Sequence, residues 1–386
     1  MNETSFLVPD DDGSTRTIAL NAPAALETAT APPASRKVYS AAHVVADPLH
    51  SARNAPNSLD WDATMSIRHR LWDLGLGIAE SMDTAQRGMG LSPDVALELG
   101  RRTVEEGARR GGNVVVGIAT DSIDPGERDI AAITDAYLRQ LREIEGAGGR
   151  VVMMASRQLA AAASEPGDYT RVYSQVLSEA SAPVVLHWLG DMFDPALRGY
   201  WGAESPQDAA ATVLELIEKH SDIVDGIKLS LLDADFEQWL RSRLPENVRL
   251  YTGDDFNYVD LIAGDETAHS DALLGAFSVV PRFASAAFAA LDGDDAEEFR
   301  RILGPTEELS RAVFEAPTQF YKVGVTWLNY LTGWQDHFVM IDGFQSGRST
   351  AHLGKLVEIS NRIGLFPEPE LSAGRANAYF RGIGID

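Results

Sequence analysis

Cysteine is absent from all 386 residues. That excludes disulfides, thiolate nucleophiles and Cys-based zinc sites together. Positive charge is scarce: 33 Lys and Arg stand against 57 Asp and Glu, a formal net charge of -24. A chain this acidic repels phosphate backbones and anionic lipid, so neither nucleic acid nor a membrane is an expected partner. No uninterrupted apolar run is long enough to span a bilayer. The opening residues, MNETSFLVPDDDGSTRT, lack the basic stretch and apolar core of a secretory leader. A cytoplasmic protein is the expectation. The dinucleotide fingerprint GxGxxG is also missing after the first strand candidate, which removes the usual argument for a nucleotide-binding open sheet.

What remains is a chain with 45% hydrophobic residues, enough for a large core. Residues 5–20 read as a hairpin, two apolar runs around PDDDGS. The Ala-, Thr- and Pro-rich stretch ALETATAPPAS follows as an arm. From Arg36 onward short apolar strands alternate with amphipathic helices. The strand candidates are KVYSAAHVVAD, LGLGIAE, NVVVGIATD, RVVMMAS, PVVLHWLG, VDGIKLS, VRLYTGDD and LLGAFSVVP. Asp60, Ser92 and Ser205 stand where helices start, the two serines each followed by proline. Eight parallel strands joined by helical crossovers predict a (β/α)8 TIM barrel, and runs such as VVVG need no polar alternation because both faces are buried. The expected organisation is an N-terminal hairpin and arm over 1–35, the barrel over 36–293 and a C-terminal helical extension over 294–386.

In such a barrel the chemistry lies at the C-terminal ends of the strands. The polar residues predicted there are His43 and Asp47, then Glu80, Ser81 and Asp83, then Asp121, Ser156 and Arg157, His187, Lys228 and Ser230, and Asp254 and Asp255. Lys228 closes the apolar run VDGIK. An amine in that setting is desolvated, its pKa falls, and the neutral form can attack a ketone to give a Schiff base. The plain alternative is a lysine paired with Asp225, Asp233 or Asp235. His187 ends the preceding strand and can relay protons, or simply hydrogen-bond in the barrel mouth. Of Asp254 and Asp255, one orients substrate hydroxyls while the other caps the helix that starts near Phe256. The segment AESMDTAQRG presents hydroxyls, acids and backbone N–H groups that can hold a carbonyl or carboxylate oxygen.

Taken together, GIK at Gly226–Lys228, TGDD at Thr252–Asp255 and the barrel order resemble the dihydrodipicolinate synthase / N-acetylneuraminate lyase family of class I Schiff-base lyases, in a divergent branch. The resemblance runs from about Tyr39 to Gly333. It implies a Schiff-base-forming lyase, an aldolase or dehydratase acting on a small keto acid or keto sugar, with Lys228 as the imine-forming residue and no cofactor. It also implies a homo-oligomer, a dimer or tetramer. His187 stands where the family carries a tyrosine. The family's threonine-rich GTTGE turn is replaced by AESMDT, with Glu80 and Ser81 in the threonine places and Asp83 as the acid. Glu80, Ser81, Asp83, Asp121 and Asp254 are the expected substrate-binding residues. Two other readings stay open: a metal-dependent barrel isomerase or class II aldolase using His43, Glu80, Asp121, His187 and Asp254, and a non-catalytic sugar-acid-binding protein.

Overall fold

The computed structural model describes residues 4–52, 58–265 and 267–386. Residues 1–3 of the expected arm lie outside the described residues. The chain opens with a two-stranded antiparallel hairpin, β1 (Ser5–Pro9) and β2 (Thr15–Ala19). Eight parallel strands follow: β3 (Val38–Ala41), β4 (Gly77–Glu80), β5 (Val114–Ile118), β6 (Arg150–Met153), β7 (Val184–Leu189), β8 (Val224–Ser230), β9 (Arg249–Thr252) and β10 (Asp271–Leu274). They pair in sequence order, and β10 closes on β3. The fold is the (β/α)8 barrel that the alternation of strands and helices predicts.

Local chemistry starts the helices as expected. The carboxylate of Asp60 accepts from Ala63 N, the hydroxyl of Ser92 from Val95 N and that of Ser205 from Asp208 N. Each satisfies a backbone donor that the first helical turn leaves open. The first barrel strand is shorter than its sequence suggests. Beyond Ala41 the chain leaves the sheet, and Val45 N donates to Thr64 Oγ1 on the neighbouring helix instead.

Two apolar layers result from the pleat. Tyr39, Ala41, Ala79, Val115, Val152, Val185, Tyr251 and Leu273 fill the barrel interior as one cluster. Their alternate neighbours, among them Val38, Ile78, Val116, Leu186, Ile227 and Leu250, face the surrounding helices in a second, larger one. Successive strand side chains point to opposite faces, so parity decides which residues look into the barrel.

The C-terminal helices Ala296–Leu303, Thr306–Val313, Tyr321–Leu331, Thr350–Arg362 and Pro369–Gly382 pack around Trp327 and against the barrel. Asn329 Nδ2 donates to Ser278 O at 2.9 Å, tying this layer to the turn after β10. The N-terminal hairpin sits on the same helices. Leu7 N donates to Asn377 Oδ1 at 2.7 Å, and Arg16 pairs with Glu358 at 2.6 Å. Between hairpin and barrel the arm runs along the helix Pro281–Asp292, whose Asp292 carboxylate accepts from Ala34 N and Ser35 N. No helix among the described residues is long and apolar enough to cross a membrane.

Candidate active site

Parity turns Lys228 inward. It lies two residues beyond Gly226 on β8, in register with His187 on β7 and Tyr251 on β9. The side chain is only 8% exposed. Among the described residues its amine has no hydrogen-bond or ion-pair partner. Burial lowers its pKa, opposed by the negative charges of Asp255 and Asp83 at longer range. Gly253 makes the room: a β-carbon there would lie 2.2 Å from Ser230 Oγ and 2.8 Å from Lys228 Cε. Glycine at this position lets β8 and β9 approach closely around the amine.

His187 is fully buried beside it. Nε2 meets Ser230 Oγ at 3.2 Å, and Nδ1 has no partner. Burial first, and the neighbouring Lys228 second, hold this imidazole well below its usual pKa, so it is neutral near pH 7. Asp255 completes the group. Its carboxylate accepts from Ala276 N at 2.9 Å, and burial raises its pKa to about 7, against the opposing pull of Lys228. A desolvated amine, a neutral imidazole and an acid poised near neutrality can together move protons through carbinolamine formation and breakdown.

The two adjacent aspartates divide their roles. Asp254, the residue expected to orient substrate, accepts from Phe256 N at 2.9 Å, Asn257 N at 3.1 Å and Asn257 Nδ2 at 2.9 Å. It closes the turn that precedes helix Tyr258–Ala263, whose N-cap residue is Asn257, and Asp255 is the one near Lys228.

The segment after β4 also departs from the expectation. Glu80 follows the inward Ala79 and therefore points outward, where it is fully buried. Arg68 clamps it in a bidentate pair, 2.8 Å on each arm, and Thr103 Oγ1 donates to it at 2.7 Å. Ser81, at φ 53°, donates its hydroxyl to Ala96 O at 2.6 Å. Neither side chain faces the barrel mouth, because one is spent on an ion pair and the other on a helix carbonyl. Asp83 and Thr84 carry the turn to the mouth instead. Asp83 acts on Lys228, and Thr84 Oγ1 meets Tyr321 OH at 2.8 Å.

Asp121 sits further round the rim and is held by Arg87 through two contacts of 2.8 Å. Burial raises and Arg87 lowers its pKa, and the net shift is downward. Arg87 is closed further by Gln140 Oε1 at 2.7 Å. A cavity of about 600 Å³ opens here over the ends of β4 to β7, lined by Asp83, Ala119, Asp121, Met154, Arg157 and Leu189 among others. Lys228 is not one of its lining residues. Asp83 is the link, lining the cavity and acting on the amine. His43, the first of the alternative ligands, is buried with Nε2 on Gln335 Oε1 at 2.8 Å. Among the described residues no three His, Asp or Glu are grouped to hold a metal ion.

Thr84, Tyr321 and Lys322 are mouth residues that sequence reasoning did not select. Asp255 was legible as half of a pair. Lys322, interrupting the apolar helix YKVGVTWLNYL, carried a signal of its own.

The barrel fold is shared with solved dihydrodipicolinate synthase structures. The chain overlays on dihydrodipicolinate synthase from Aquifex aeolicus with a TM-score of 0.62 at 15% identity, covering 85% of this chain and 97% of that one. The synthase from Bacteroides thetaiotaomicron gives 0.62 at 16% identity, over 84% and 99%. A prophage protein of the dihydrodipicolinic acid synthase family from E. coli K12, solved in complex with pyruvate, gives 0.62 at 14%, over 84% and 97%. The likeness read from GIK and TGDD is thus matched in the fold. By sequence the chain belongs to the family described as Protein of unknown function (DUF993), which it matches over residues 6–385. Among curated proteins none matches it.

Proposed function

We propose that the protein is a Schiff-base-forming lyase, of aldolase or dehydratase type, acting on a small keto acid or keto-sugar derivative. The observation that carries this reading is the Lys228 amine: turned into the barrel at the C-terminal end of β8, 8% exposed and free of any partner among the described residues. A surface lysine is solvated and charged, and a structural one is paired; this one is neither.

In this mechanism the neutral amine adds to the substrate ketone, forming a C–N bond and a carbinolamine. Asp255 in its acid form gives up the proton with which the hydroxyl leaves as water. The resulting protonated imine is an electron sink. In the aldolase case the β-hydroxyl gives up its proton, the Cα–Cβ bond breaks, a carbonyl fragment leaves and an enamine remains. In the dehydratase case loss of the α-proton forms the enamine, which then expels the β-hydroxyl as water and leaves an unsaturated imine. His187, neutral and with a free Nδ1, takes or returns the proton of that step. The enamine of the aldolase case is protonated at carbon, and in either case attack by water on the imine carbon releases the product and regenerates the amine. His187 on β7 and Asp255 just beyond β9 flank Lys228 on β8, so the proton carriers are held in place as charge develops.

The test is borohydride reduction in the presence of a panel of keto acids and keto sugars, followed by mass spectrometry of the peptide containing Lys228. A stable adduct on Lys228, lost in Lys228→Ala, is expected. If no carbonyl compound in the panel is trapped there, the reading falls.

A further inference from the structure

A second lysine is buried at the barrel mouth, and the reaction just described makes no use of it. Lys322 is the second residue of helix Tyr321–Leu331 and is 3% exposed. Lysines on a packed helix normally thread their stems outward so that the ammonium reaches water. Here the head group stays inside. Nζ donates to Gln319 O at 3.2 Å and lies 4.4 Å from the centre of the Tyr321 ring. An ammonium has three donors, and among the described residues no carboxylate pairs with this one.

The surroundings point towards the cavity. Asp83, Arg157 and Asp194 act electrostatically on Lys322, and all three line the 600 Å³ cavity, although Lys322 is not itself a lining residue. The neighbouring Tyr321 binds Thr84, the residue after Asp83. Asp83 in turn acts on Lys228. One acid therefore stands within electrostatic reach of both buried amines. Of the other cations lining the cavity, Arg87 is committed to Asp121 and Gln140 and Arg157 to Asp194, whereas Arg128 is exposed on the rim and donates to the carbonyls of Pro125 and Glu127. Burying an unpaired charge is unfavourable, and an arriving counter-charge offsets that cost.

We propose that Lys322 holds the carboxylate of the substrate that reacts at Lys228, so that the substrate is a keto acid and not a neutral keto sugar. This inference rests on the Schiff-base reading of the same site. Burial lowers the pKa of Lys322 to about 8, with Asp83 and Asp194 opposing and Arg157 adding to the shift. At neutral pH it is therefore mostly charged, and it loses its charge just above.

The experiment uses the full chain and three probes: pyruvate, hydroxyacetone as an uncharged ketone, and lactate as an acid that cannot form an imine. Lys322→Met is expected to weaken lactate binding at least tenfold by calorimetry, and to raise the half-saturation of pyruvate trapping on Lys228 by a similar factor. Hydroxyacetone trapping stays unchanged. Lactate that fails to bind the wild type, or binds Lys322→Met equally well, overturns the proposal while trapping on Lys228 can still stand. Conversely, if no ketone is trapped but the variant loses lactate, the imine chemistry falls and the anion site survives. Should Lys322→Met fail to fold, the wild type decides alone. Its lactate affinity should fall as pH rises through about 8, and a flat profile there overturns the assignment.

Discussion

At the scale of single residues, the site turns on which of two neighbours faces inward. Lys228 was legible because GIK at a strand end is short but distinctive, and because an amine among apolar residues is chemically unusual. The aspartates after Gly253 were legible only as a pair. Adjacent side chains point to opposite faces of an extended segment, and TGDD does not say which is which. The structure gives Asp254 the turn before the helix, where it accepts three hydrogen bonds without capping the helix itself, and the neighbourhood of the amine to Asp255. Asp255→Asn, which keeps the shape but removes the proton carrier, should slow imine trapping by about 10²-fold or more, the usual worth of a positioned acid or base. Asp254→Asn should leave the trapping rate within a few fold and lower the unfolding midpoint instead. Equal effects on trapping from both variants would show the assignment to be mistaken.

Among elements, the turn after β4 is where sequence reasoning was least able to see. A strand buried on both faces carries no alternation of polarity, so nothing in LGLGIAE tells which side Glu80 takes. Because Ala79 takes the barrel interior, the next residue, Glu80, turns outward, where Arg68 from helix Trp61–Asp73 was not an obvious partner in the sequence. Both side chains of this ion pair are inaccessible to solvent. Removing one partner leaves an uncompensated buried charge. Glu80→Ala is therefore expected to destabilise the protein by about 3–5 kcal/mol in urea unfolding. The double replacement Arg68→Met with Glu80→Leu should recover much of that loss. Trapping on Lys228 by the folded fraction should survive in both, which a substrate-binding role for Glu80 would not allow.

For the whole molecule, buried carboxyls shape the response to pH. Glu237, on helix Ala234–Arg241, accepts from Ser270 Oγ at 2.8 Å and Thr252 Oγ1 at 3.0 Å. Burial raises its pKa to about 8 from an ordinary 4.5, the two hydroxyls opposing the shift. Asp255 is raised to about 7 for the same reason. Between the ordinary and the raised values the folded chain holds protons that the unfolded chain has released. Stability from these groups is thus fully present below about pH 4 and declines as pH rises through about 8. Lys228 works in the opposite sense at higher pH, because the unfolded chain keeps the proton that its buried amine has lost. Relative to wild type, Glu237→Gln should flatten the decline of the urea midpoint over this window, and parallel profiles would refute the assignment. The C-terminal helices belong to this scale too. They bring Tyr321 and Lys322 to the mouth from more than ninety residues beyond Lys228, a juxtaposition that a linear pattern does not encode.

The sequence by itself determined the repeating strand–helix order, and with it the closed barrel. It also determined the helix starts at Asp60, Ser92 and Ser205 and the position of Lys228 at a strand end. These depend on periodicity, capping and local polarity, which act over a few residues. Tertiary structure decided the rest: the face taken by Glu80 and by each aspartate, the seat of the N-terminal hairpin on the last helices, and the approach of Lys322 to the mouth. Such features depend on strand parity and long-range closure, where one residue of offset reverses a side chain and local signals are silent.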